Sequence, residues 1–173
     1  MKIDTADAEK LEGVLRVFTA DDIPGERYTG LIVPDWPLMV KRGETTRYIG
    51  DVIAGVVAET EKTAREAVSL IKVEYEVLSP VTDPFEALSA NCAQIHENGN
   101  LLSNLEIKRG DIKQAELESS YLTKGTYKTQ RIEHAFLEIE CCLAKPSADG
   151  VEVFSQSQGV YEDRNSISKI LGL

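Results

Sequence analysis

The side chains most able to do chemistry fall in the last third of the chain. Glu133-His134 with Glu138 places carboxylates around an imidazole, an arrangement that orients or tunes a histidine. No nucleophile or set of metal ligands accompanies it in sequence, so the structural reading of these residues leads over the chemical one. Gln156 and Gln158 flank Ser157 at the end of a stretch that begins with Val151 and Val153. Glutamine there is either a polar strand end or a donor aimed at a bound oxygen, since its amide carries two N–H donors. Cys141 and Cys142 are adjacent, and with Cys92 they make three thiols without the Cys-x-x-Cys spacing of zinc or iron–sulfur sites. In a strand the adjacent pair points to opposite faces, and at least one of the two reads as a small buried apolar residue. The other histidine, His96, lies in a polar connecting stretch and reads as a surface residue. There is no Gly-x-Gly-x-x-Gly, phosphate loop or nucleophile elbow. No catalytic residue and no metal site is assigned from the residues alone.

These residues must be held by elements that the pattern indicates. Gly13–Thr19 reads as a strand, closed by a turn or one helical turn at Asp21-Asp22-Ile23-Pro24-Gly25. Pro34 and Pro37 call for extended backbone around Trp36. The apolar run Val52–Ala58 reads as a strand covered on both faces. Thr60 can cap a following helix whose Ala64, Ala67, Val68 and Ile71 form one apolar stripe. Lys72–Val77 alternates like a strand with one wet face. Strand, helix and strand in succession give this first block an α/β reading. From Ser79 to Gly110, prolines, asparagines and Gly99 mark a linker. Asp111 can N-cap a helix to Glu118; Tyr121–Gln130, Phe136–Ala144 and Gly150–Ser157 read as strands; Val160–Leu171 reads as a helix stopped by Gly172. The organisation expected is residues 1–88, a linker at 89–110, and a second block at 111–173.

Composition bounds the function. A chain of 173 residues with 42% apolar and 28% charged residues has globular composition. At this size it can hide roughly 70% of its unfolded surface. The net charge of −10 and basic clusters no longer than Lys41-Arg42 and Lys108-Arg109 argue against nucleic-acid binding. No apolar run reaches the roughly 18 residues a membrane span requires. Met1-Lys2-Ile3-Asp4 has no secretory core behind it, and reduced cysteines fit the cytoplasm.

Several stretches resemble the large subunit of molybdenum hydroxylases of the xanthine dehydrogenase/aldehyde oxidase family. Glu12-Gly13-Val14-Leu15-Arg16-Val17-Phe18-Thr19-Ala20-Asp21-Asp22-Ile23-Pro24-Gly25 is similar to a segment near that subunit's start. Arg47–Ala54, Val57–Thr60, and Lys72–Val81 followed by Asp83-Pro84 continue in register, in the manner of the family's α/β hammerhead domain. Glu133-His134-Ala135-Phe136-Leu137-Glu138 resembles a signature of the molybdopterin-binding region that follows. Gln156-Ser157-Gln158, judged by its distance to Leu171-Gly172, aligns with a Ser-Thr-Gln segment of that region. Residues Gln156 and Ser157 depart from that segment and look more like the selenium-dependent xanthine dehydrogenase branch.

The resemblance implies an α+β fold, a hammerhead domain followed by the first strands and helix of a molybdopterin-binding domain. It implies hydroxylation of N-heterocycles or aldehydes with oxygen from water. Gln158 would be the cofactor-binding glutamine that hydrogen-bonds the apical oxo ligand of molybdenum, with Glu133, His134 and Glu138 as scaffold around the site. The general-base glutamate is expected C-terminal to this chain. Molybdopterin and molybdenum belong to the full-length enzyme, with 2Fe-2S and FAD on partner domains or subunits. The chain alone is expected to be inactive, to bind no cofactor, and to self-associate. The alternative is a stand-alone, non-catalytic hammerhead interaction module.

Overall fold

A computed structural model describes residues 1–135, 137 and 141–173. The fold is α+β, and the chain divides into two units, residues 1–80 with 141–173 and residues 81–140.

In the first unit, β1 (Lys2–Asp4), α1 (Ala6–Glu9), β2 (Val14–Thr19), β3 (Tyr28–Thr29), β4 (Trp36–Pro37), β5 (Ala54–Ala58), α2 (Glu61–Leu70) and β6 (Lys72–Glu74) follow in order. Every strand pair is antiparallel: β1 with β6, β2 with β5, and β3 with β4. The strand–helix–strand succession therefore does not make a parallel pair, because α2 carries the chain from one ribbon to the other. Thr60 caps α2 as expected, its hydroxyl accepting from the Thr63 amide at 3.1 Å. Asp22 closes the turn after β2, accepting from the Thr19 amide at 2.9 Å and from Arg16 at 2.7 Å. Those two bonds, the Thr19 amide first, hold its carboxyl below the usual carboxylate range.

Among the described residues the buried apolar core consists of Ile3, Ala8, Ala20, Met39, Val40 and Ala67. Ala8 and Ala67 are completely buried where α1 packs on α2, because only side chains this small let two helices come so close. The expected two-sided cover of Val52–Ala58 is not found. Val52 and Val57 stay about half exposed, since β5 has a partner strand on one side only and α2 on one face. Val68 of the expected α2 stripe is also exposed, and β6 ends at Glu74 with Tyr75 and Val77 outside any pairing.

Arg27 anchors the β3–β4 region. Its guanidinium donates to Glu44 through both terminal nitrogens, at 2.8 and 2.5 Å, and to the Met39 carbonyl at 3.0 Å. Burial pushes the Glu44 carboxyl up, but the bonds from Arg27 and the Lys41 amide outweigh it and leave Glu44 below the usual range. A lowered folded-state pKa means stability present above the ordinary carboxylate pKa and lost as pH falls through the lowered one. Urea unfolding followed by Trp36 fluorescence should therefore show Glu44→Gln about 1–3 kcal/mol less stable at pH 7. Its loss on going to pH 3 should be smaller than that of the unsubstituted chain. Parallel acid profiles for the two proteins would remove the pair as the cause.

The unit of residues 81–140 contains α3 (Pro84–Ala87) and α4 (Ile112–Glu118). Asp111 caps α4 as expected, accepting from the Gln114 amide at 3.0 Å. Asp83 does the same for α3, a helix the linker reading missed, by accepting from the Phe85 and Glu86 amides. Asn100 ties the segment after α3 together, accepting from the Ile95 amide at 2.7 Å and donating to the carbonyls of Ala87 and Ala93. Residues 121–130, expected as a strand, form none and are exposed. Alternation prepares a strand but does not supply the partner it needs. No described residue of this unit is fully buried.

Candidate functional site

The last part of the first unit is a hairpin and a helix: β7 (Cys142–Ser147), β8 (Gly150–Ser155) and α5 (Val160–Leu171). β7 and β8 pair over their full length, Cys142 opposite Ser155 and Ser147 opposite Gly150. Of the strand expected at Phe136–Ala144, only its end is seen in β7, and Phe136, Ile139 and Glu140 lie outside the described residues. α5 has the expected bounds, and Gly172 ends it in the left-handed conformation at φ 69°. Beyond the helix end, the Gly172 and Leu173 amides donate back to Lys169 and Ser168 carbonyls at 3.3 and 2.9 Å, so the last turn is closed.

The C-terminal turn of α5 is docked on the Pro24-Gly25-Glu26 turn of the same unit. The Gly25 amide donates to the Ile170 carbonyl and the Glu26 amide to the Lys169 carbonyl, both at 2.9 Å. Backbone meets backbone here, which requires glycine at position 25. A Cβ added there would sit 2.8 Å from Gly172 N and Ile170 O and closer still to the Lys169 carbonyl oxygen.

Between the hairpin and α5 lies a groove of about 810 Å³, with Leu143, Val153, Phe154, Val160 and Ile167 among its walls. Cys141 and Cys142 border it, and both are exposed rather than buried. The expectation of one buried thiol fails because the described residues give the β7–β8 ribbon no second sheet to pack against.

The opposite end of α5 holds the residues the sequence singled out. Gln156, Ser157 and Gln158 form the loop from β8 to α5, and all three are exposed. Gln156 also lines the groove. The Gly159 amide donates to Ser157 Oγ at 3.0 Å, and Ser155 Oγ donates to Asp163 Oδ2 at 2.9 Å. Among the described residues the Gln158 carboxamide makes no hydrogen bond, so its two N–H donors are available to a group from outside. Sequence reading placed Asp163 only as an acid in the first helical turn; nothing in the spacing from Ser155 announces their bond.

Glu133 and His134 belong to the unit of residues 81–140, are exposed, and carry no regular structure. Glu138 lies outside the described residues. Ala135 takes φ 50°, a left-handed conformation that costs a residue with a Cβ roughly 1–2 kcal/mol. His96, read as a surface residue, is half-buried. Among the described residues no cluster of three or more His, Cys, Asp or Glu could hold a metal ion. No helix among them is long and apolar enough to cross a membrane.

Comparison with known proteins bears on what this arrangement belongs to. The model of the aldehyde oxidase and xanthine dehydrogenase a/b hammerhead domain matches residues 1–79, and that of the molybdopterin cofactor-binding domain matches residues 95–173. The chain belongs to the xanthine dehydrogenase/aldehyde oxidase family. Among its relatives, the xanthine dehydrogenase molybdenum-binding subunit of Escherichia coli O157:H7 is 31% identical over 100% of this chain and 24% of its own length. The nicotinate dehydrogenase large molybdopterin subunit of Eubacterium barkeri is 29% identical over 100% of this chain and 40% of its own. Among aldehyde oxidoreductase structures, that from Desulfovibrio gigas superposes with a TM-score of 0.86 at 28% identity. It is matched by 100% of this chain over 20% of its length. The chain thus spans under half the length of each of these relatives.

Proposed function

We propose that this chain works as one part of a molybdenum hydroxylase large subunit, as a hammerhead domain at residues 1–88 and one edge of the cofactor pocket at 111–173. The observation that carries this reading is the β8–α5 loop, within the span matched by the molybdopterin cofactor-binding model, with the donors of Gln158 exposed. The donor set suits a cofactor that presents an oxygen. Gln158 binds that oxygen through an N–H donor, and Glu133, His134 and Glu138 are scaffold. When bound, the cofactor supplies the redox chemistry by which oxygen from water is placed on an N-heterocycle or aldehyde. The chain's own part is orientation: a directed neutral donor worth about 1 kcal/mol. The reading extends to 2Fe-2S and FAD on partner domains or subunits, a general-base glutamate outside these residues, and a cytoplasmic location.

Its test is turnover. The 173-residue chain, supplied with hypoxanthine or an aldehyde and an artificial electron acceptor, is expected to give none. Measurable hydroxylation by the chain alone would overturn the reading of it as a part.

The second reading, a free-standing hammerhead interaction module, is less well supported. The apolar surface of a self-sufficient module should be mostly covered, whereas Leu143, Phe154, Val160 and Leu173 beside the groove are all more than half exposed.

A further inference from the structure

The loop that carries Gln158 is only Gln156, Ser157 and Gln158, between the last residue of β8 and Gly159, which precedes α5. Fixing the backbone of such a loop costs entropy, so a well-placed side chain on it requires ties at its ends. Two ties are present. Ser155 Oγ donates to Asp163 Oδ2 at 2.9 Å, joining the end of the strand to the first turn of the helix. Asp163 is itself held in that turn, its amide donating to the Gly159 carbonyl at 2.9 Å. The Gly159 amide donates to Ser157 Oγ at 3.0 Å, closing a small ring that contains the Gln158 peptide. Asp163 is half-buried, while the loop it closes is exposed.

We propose that Ser155 and Asp163 are positioning residues for Gln158, their hydrogen bond holding the β8–α5 loop in the conformation from which the carboxamide meets its ligand. The proposal rests on the reading of Gln158 as a cofactor-facing donor. A donor held in place loses little freedom on binding, which is what precise recognition of an oxygen requires. Asp163 also sits where the helix dipole favours a negative charge. Asp163→Asn separates the two roles, because it keeps an oxygen acceptor and loses the charge.

The experiment is 15N relaxation and amide exchange on the 173-residue chain. The Gln158 amide should have an order parameter near 0.85 in the unsubstituted chain, falling below about 0.6 in Ser155→Ala and in Asp163→Ala. Exchange of the Gly159 amide should rise about fivefold in both, the factor set by one hydrogen bond of ordinary strength. Asp163→Asn and Ser155→Thr should restore both values, and the double alanine variant should be no worse than either single one. Signals from α2 report whether a variant is folded, and the two conservative variants keep the test decisive if an alanine variant is not. An unchanged Gln158 order parameter in folded alanine variants, or Asp163→Asn behaving like Asp163→Ala, would overturn the proposal. Failure of the cofactor reading looks different: the loop loosens as expected, yet removing the Gln158 amide from a molybdenum-loaded subunit changes nothing.

Discussion

Gly25→Ala is expected to undock the C-terminal turn of α5, with a loss of about 3 kcal/mol or more of stability in the unit of residues 1–80 and 141–173. Two effects add. The new methyl group meets three backbone atoms that cannot rotate away, those of Lys169, Ile170 and Gly172, and overpacking of this kind typically costs about 1–3 kcal/mol. Moving the turn to relieve it breaks the bonds from the Gly25 and Glu26 amides to α5, each worth about 1 kcal/mol. Hydrogen exchange is the direct measurement: the Gly25 and Glu26 amides should lose protection while those of α2 keep theirs. Retained protection at Gly25 would mean that the turn accommodates a side chain and that the close approach is not what requires glycine.

The chain on its own is expected to self-associate. Large apolar side chains stand open to water, including Leu31, Ile32 and Ile49 near β3 and β4 and Leu143, Phe154 and Leu173 around the groove. Apolar surface left to water at about 25 cal/mol per Å² favours any partner that covers it, another copy included. Light scattering on a size column should return a mass of two or more chains, rising with concentration. A sharp monomer peak that binds no hydrophobic dye would favour the free-standing module instead.

The same shortage of cover explains which features were legible in the sequence. Signals that act over four residues came through: Thr60 and Asp111 as caps, Gly172 as the stop of α5, the turn after Thr19. Each is a local competition for backbone hydrogen bonds that the sequence decides by itself. Features that depend on a distant partner did not. Residues 121–130 alternate correctly but, among the described residues, have no strand beside them. Val52–Ala58 is apolar enough for two-sided burial yet receives cover on part of its surface. Cys141 and Cys142 are exposed for the same reason. The candidate site divided in the same way. The proposal of Gln158 rests on a family segment placed by its spacing to Leu171-Gly172. Its tie to the helix through Ser155 and Asp163 involves two common residue types at no diagnostic interval, so only the fold reveals it.

The role of Gln158 is decided by Gln158→Ala in the molybdenum-loaded subunit that carries this segment, with metal content and kcat/KM determined together. A donor to the cofactor's oxygen should leave the metal content unchanged and lower kcat/KM about fivefold, the worth of one neutral hydrogen bond. Equal kcat/KM at equal metal content would contradict that role, leaving residue 158 as no more than a polar residue of the β8–α5 loop.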